Sequence, residues 1–249
     1  MKYLNVLMVG AWLLCATIAP LSVKAAVTFD ATCENGSNST ADPIDFNCSV
    51  GAGARGLLCT VSAASDGSDQ VDTITAGGVG MTEIAGSPLI GTGGEPAALQ
   101  AYFLGSSVPT GTVAISVDVN ATTGAKRVVC ASVNASANTE VVDTSIIDSN
   151  SSVNPSFTVS LSSKTSWVGM VLGSGHSTAA DIAPSSGWTG VLEPDFGSRM
   201  GGFYIYDTIG TADVACAWTQ LAEDAYAICV AVSEVVGGAS GLLLRRRQN

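Results

Sequence analysis

The chain of 249 residues carries 21 acidic against 10 basic residues, and only 12% of its residues are charged. A net charge of −11 repels polyanions, which argues against nucleic acid as a partner of the chain as a whole. A composition led by Gly, Ala, Ser, Thr and Val argues against a charged, Leu-rich helical bundle and for turn-rich β-structure in one large or two small domains.

The N-terminal stretch MKYLNVLMVGAWLLCATIAPLSVKAA has one early lysine, an apolar run from Leu4 to Ile18, a helix-breaking Pro20 and small residues at its end. Val23-Lys24-Ala25 fits the small-x-small rule of signal peptidase, so residues 1–25 are expected to be a signal peptide. The alternative, a retained membrane anchor, is weakened by an apolar run that is short for a span. Losing Lys2 and Lys24 with the leader leaves 8 of the 10 basic residues and a net charge of about −13.

Beyond the leader, short apolar or alternating runs broken by turn residues recur, and no long amphipathic helix is visible. Strands are predicted at Val27–Thr32, Gly56–Ala63, Val71–Thr75, Ala98–Leu104, Thr112–Val119 and Arg127–Val133, then at Ser156–Ser162, Ser166–Leu172, Gly202–Asp207, Val214–Thr219 and Ala225–Val232. Turn signals such as Gly77-Gly78, Gly93-Gly94 and Ser185-Ser186-Gly187 separate them. This spacing suits an all-β, two-sheet antiparallel β-sandwich. No internal repeat is evident, and residues 143–155 read as an inter-sheet loop, so residues 26–236 are expected to form a single domain.

Six cysteines remain after the leader, an even set that points in an exported chain to disulfides. None shows CxxC or Cys/His spacing, so zinc is not expected. Fifteen pairings are open. Cys216 and Cys229 are equidistant from the turn LAED, so a hairpin would set them opposite each other. Cys33 and Cys48 flank the polar loop ENGSNSTADPIDF, which leaves Cys59 with Cys130.

Several stretches, in order, carry a resemblance: RGLLCTVSA, ITAGGVGMTEIAGSP, LQAYFL followed by SSVPTGTVAISVDV, and a closing DAYAICVAVSEV. Together they resemble a poorly characterised β-sandwich module of bacterial surface or secreted proteins and of phage structural proteins, over most of residues 27–236. The resemblance implies a jelly-roll-like sandwich with a structural or recognition role. It carries no site residues, and the cysteines are not part of its pattern.

Candidate sites are few. His176 with Asp181 and Ser174 lacks the nucleophile elbow of a hydrolase. Glu193 and Asp195 in VLEPDFG could be drawn as a glycosidase pair, but the intervening Pro194 favours a loop. The same neighbourhood, with Trp188, Phe196, Phe203, Tyr204 and Tyr206, offers flat apolar faces beside acceptor groups, a glycan-contact pattern; large aromatics in a sandwich are more often core material. Asp66, Asp69 and Asp72 in SDGSDQVD gather carboxylates in a turn as calcium requires, but their spacing of three is not the alternating two of an EF-hand loop, and an ordinary turn fits equally well. N-x-S/T acceptor sequons occur at Asn35, Asn38, Asn47, Asn120, Asn134 and Asn150.

The chain ends GGASGLLLRRRQN, read as a flexible linker over residues 237–249 that carries the tail Leu242, Leu243, Leu244, Arg245, Arg246 and Arg247. Three leucines are far fewer than the roughly 20 apolar residues that span a bilayer, and the tail reads as a peg for an acidic partner or a neighbouring copy, or as a frayed terminus. The expectation is an exported, non-enzymatic structural or recognition protein of a cell surface, extracellular assembly or virion, with copies of itself or other surface proteins as partners. A carbohydrate-binding module or adhesin, and a secreted glycan hydrolase, are the alternatives.

Overall fold

The computed structural model describes residues 26–36, 39–64, 71–90, 97–119, 125–152, 154–161, 166–174, 182–192, 200–208, 212–220 and 223–235. All of the regular structure among them is β. The first half contains β1 (Thr28–Glu34), β2 (Ile44–Val50), β3 (Ala54–Ala64), β4 (Val71–Ala76), β5 (Val79–Gly80), β6 (Thr82–Glu83), β7 (Leu89–Ile90), β8 (Ala97–Leu104), β9 (Gly111–Val119) and β10 (Lys126–Asn134). The second contains β11 (Thr139–Ser152), β12 (Ser156–Val159), β13 (Ser166–Ser174), β14 (Ala183–Pro184), β15 (Thr189–Leu192), β16 (Met200–Thr208), β17 (Val214–Thr219) and β18 (Glu223–Glu234).

The strands form four sheets, and every pairing is antiparallel. One sheet runs β1-β10-β3-β8-β6, with β7 also on β8; a second runs β2-β9-β4-β5. In the second half one sheet runs β11-β18-β13-β16-β15 and another β12-β17-β14. The two halves therefore repeat one plan: the first strand pairs with the last, the last with the third, and the second strand starts a smaller partner sheet. The disulfide-stapled antiparallel sandwich expected from the sequence is present, and its two-sheet unit occurs twice.

Three cores order the sheets into layers. Side chains of β2, β4 and β9 meet Leu57, Cys59, Val61, Tyr102, Val128 and Cys130 of the first half's larger sheet. The opposite face of that sheet, with Leu58, Leu99, Phe103, Val129 and Val133, meets Trp167, Phe203, Tyr226, Ile228 and Val230. The far face of the second larger sheet, with Met170, Leu172, Ala227 and Cys229, meets Val159, Val214, Cys216 and Trp218. The order is outer, inner, inner, outer.

Burial follows from this order. An inner strand is covered on both faces, so β3 is buried at nearly every position and reads RGLLCTVSA, a near-continuous apolar run. An outer strand has one wet face, so β9 alternates as GTVAISVDV, with Val113, Ile115, Val117 and Val119 inward. The inner strands β8 and β16 each direct a phenylalanine, Phe103 or Phe203, to the shared core and the adjoining tyrosine, Tyr102 or Tyr204, to their own half's core.

Two sequence expectations change here. Of residues 143–155, expected to form a loop, 143–152 belong instead to β11, which runs along β18. Its polar residues DTSIIDSNSS are compatible with a strand because β11 closes one edge of its sheet and most of its described side chains are only half-buried. The pairing of Cys216 with Cys229 is as expected, but not by a hairpin: β17 pairs with β12 and β14, while β18 pairs with β11 and β13. The two cysteines face each other across the core between two layers, with Cα atoms 6.5 Å apart.

Candidate functional site

The disulfides pair Cys33 with Cys48, Cys59 with Cys130 and Cys216 with Cys229. Cys59 and Cys130 are register partners on β3 and β10, so that bridge lies within one inner sheet. Cys33–Cys48 joins β1 to β2, and Cys216–Cys229 joins β17 to β18, so each outer sheet is covalently attached to its inner neighbour. Cys33, Cys48 and Cys130 also hold the one group of three or more close metal-ligating atoms among the described residues, and their sulfurs are already committed to disulfides.

The aromatic neighbourhood divides into core and surface. Phe203 is fully buried and Tyr204 is 5% exposed, so both serve packing and neither offers a face to a ligand. Trp188 and Tyr206 are half-buried and adjoin each other, with ring centroids 5.5 Å apart and planes at 54°. Trp188 follows a turn in which its N–H donates to the Ser185 carbonyl at 3.4 Å. Gly187 in that turn has φ +96°, and a Cβ there would lie 2.5 Å from the Tyr206 ring, so only glycine allows this approach. The indole Nε1–H donates to the Ala215 carbonyl on β17 at 3.2 Å, which fixes the ring against the outer sheet. The result is a rigid two-ring ledge at the border of an inner and an outer sheet, suited to stacking on a flat apolar ligand face.

Glu193 and Asp195, the acidic partners expected for this ledge, lie outside the described residues, as do Phe196, His176 and Asp181. Asp66 and Asp69 do too. Asp72 is exposed on β4, at the extra position of a bulge between Val71 and Thr73, so it belongs to a strand and not to the expected turn.

Of the acceptor asparagines, Asn38 and Asn120 lie outside the described residues, and of Asn150 only the backbone is described. Asn35, just past β1, is fastened to β10, its Oδ1 accepting from Val128 N–H at 3.2 Å and its Nδ2 donating to the Lys126 carbonyl at 3.4 Å. Asn134 Nδ2 donates to Asp30 Oδ1 at 3.2 Å. Asn47 is exposed on β2, the placement a glycan needs. The tail residues Leu242, Leu243, Leu244, Arg245, Arg246 and Arg247 and the leader 1–25 lie outside the described residues.

No protein-family model matches the chain, and no curated protein matches it.

One surface feature carried no signal in the sequence. A groove of about 550 Å³ lies where the two halves meet, between β6 with the residues that follow it and the start of β11. Its apolar residues, Ile84, Phe103, Val141 and Val235, come from four separate stretches, which only the fold brings together.

Proposed function

We propose that the chain is an exported, non-enzymatic structural or recognition protein of a cell surface, an extracellular assembly or a virion. The observation that carries this reading is the covalent attachment of each outer sheet to its inner neighbour through Cys33–Cys48 and Cys216–Cys229. Such bridges persist in oxidising compartments and suit a protein that must stay folded outside the cell. The outer sheets end on β2, β5, β12 and β14, edges at which strand pairing with copies or neighbouring proteins is available. Recovery of the native protein in a sedimenting particle, with self-association of the purified chain at high concentration, is the expected result. A strict monomer found only in the soluble medium overturns the assembly reading.

The Trp188–Tyr206 ledge favours a second reading, a carbohydrate-binding module or adhesin that stacks a sugar ring on the indole. On a glycan array the wild-type chain should then bind a defined class of glycans. Trp188→Ala should reduce that signal by up to about tenfold, the scale of one lost stacking contact, with the far-UV spectrum unchanged. An array blank for the wild type removes this reading.

A further inference from the structure

Among the described residues, the exposed large hydrophobics are Ile146 and Val235, at 44% and 40% exposure, and both lie on the same side of the molecule. Val235 lines the groove between the halves, and Ile146 lines a second hollow that continues it along β11 and shares Ala85, Val141 and Thr144 with it. The trough runs beside β11, the edge strand of its inner sheet, opposite β6 and β7 at the corresponding edge of the other inner sheet. Glu83 and Glu140 stand in the same lining. The trough thus combines an apolar floor, three acidic side chains, the third being Asp143 in the second hollow, and a strand edge.

Val235 is also where the described chain stops, held by its N–H to the Asn138 carbonyl at 2.8 Å. Seven residues later the sequence supplies Leu242-Leu243-Leu244-Arg245-Arg246-Arg247, the densest basic cluster of an acidic chain, after a stretch with glycine at 237, 238 and 241. Seven residues reach at most about 25 Å, enough to turn back from Val235 over the trough that begins there. We infer that this tail docks on its own chain, Leu242–Leu244 over the floor formed by Ile84, Val141 and Val235, and Arg245–Arg247 toward Glu83 and Glu140. A short flexible tether gives the tail an effective concentration of about 1 mM. Even a weak site, with a Kd of about 0.1 mM, is then about nine-tenths occupied, whereas another molecule's tail must compete from bulk solution. The docked tail covers the β11 edge and latches the two halves across their seam.

The test is hydrogen exchange on the full chain at low micromolar concentration. The wild type is compared with the full chain carrying Leu242→Ser, Leu243→Ser and Leu244→Ser, whose fold is unaltered by near-UV dichroism. The inference expects amides in 83–86 and 140–146 to exchange about tenfold faster in the variant, as that occupancy dictates. The difference should be independent of protein concentration. Reversing Arg245, Arg246 and Arg247 to Glu should give the same loss, and adding Glu83→Lys and Glu140→Lys to that variant should restore protection. Equal exchange in wild type and variant overturns the inference. Protection that rises with protein concentration, in step with dimer formation, also overturns it, because the occupant is then the tail of a second copy.

Discussion

Lys126 is the residue whose chemistry is most at odds with its place. It opens β10 fully buried, and burial pushes its ammonium below the usual lysine range, with the Asp42 carboxylate pulling the other way. In the unfolded chain the group titrates near 10.5. Between the lowered native value and 10.5 the unfolded state holds more protons than the native one, so Lys126 makes stability rise with pH across that window. Below it both states are charged and the cost of burying the ammonium is present in full. Lys126→Met should therefore equal or exceed the wild type in stability near neutral pH, and the wild type should gain on it as pH rises toward 10.5. Denaturant unfolding of both proteins across this range is the measurement. A stability difference that does not change with pH would show that Lys126 titrates alike in the folded and unfolded chains.

At the scale of elements, the disulfides separate two ideas of what a staple does. If they act by restricting the unfolded chain, loop length ranks them: Cys59–Cys130 spans 71 residues and Cys216–Cys229 spans 13. The loop-entropy relation then assigns about 4.4 kcal/mol to the first and about 2.9 to the second. If holding two layers together matters more, the order reverses, because Cys216–Cys229 bridges an outer to an inner sheet while Cys59–Cys130 links strands already hydrogen-bonded to each other. The double variants Cys59→Ala/Cys130→Ala and Cys216→Ala/Cys229→Ala, unfolded in urea, decide between them. The expected outcome is the larger loss for Cys59–Cys130, by about 1.5 kcal/mol. The pairing itself was legible in the sequence, even though the hairpin that pointed to Cys216–Cys229 does not exist. Spacing around a turn is a weak guide to which strands pair, and the core brought the same two residues together from different sheets. The sequence also distinguishes inner from outer strands, since β10 and β18 have near-continuous apolar centres, VVCASV and AYAICVAV, and β9 alternates. It concealed β11, whose Asp, Ser and Thr content is that of a loop and whose strand form depends on pairing with β18. Of the candidate site, only the presence of aromatics was legible: which ring packs and which faces outward depends on Gly187 and on the Ala215 carbonyl 27 residues away.

At the scale of the whole molecule, the repeated strand order raises the question of whether the halves are two folding units or one. Their sequences hid the duplication because a sandwich fixes only the alternation of inward positions, as LQAYFLGSSVPTGTVAISV and GGFYIYDTIGTADVACAW show for β8–β9 and β16–β17. The core between the inner sheets contains Trp167, Phe203, Tyr226 and Phe103, so neither half can separate without exposing large aromatics. At the seam, Thr139 N–H donates to the Gly105 carbonyl at 2.9 Å and Thr139 Oγ1 to the Arg55 carbonyl at 2.7 Å. An interface of this apolar character behaves as a domain core, not as a contact between independent units, so a single unfolding transition is expected. Native-state hydrogen exchange provides the measurement, because β9 and β17 lie in opposite outer sheets and share no direct pairing. Their slowest amides should open with the same free energy. Phe103→Ala, which removes a side chain of the first half from the shared core, should lower both by a similar amount, about 3–5 kcal/mol. If β9 is destabilised and β17 keeps its wild-type protection, the halves unfold independently. The aromatic layer would then be a docking surface between two finished sandwiches and not the centre of one.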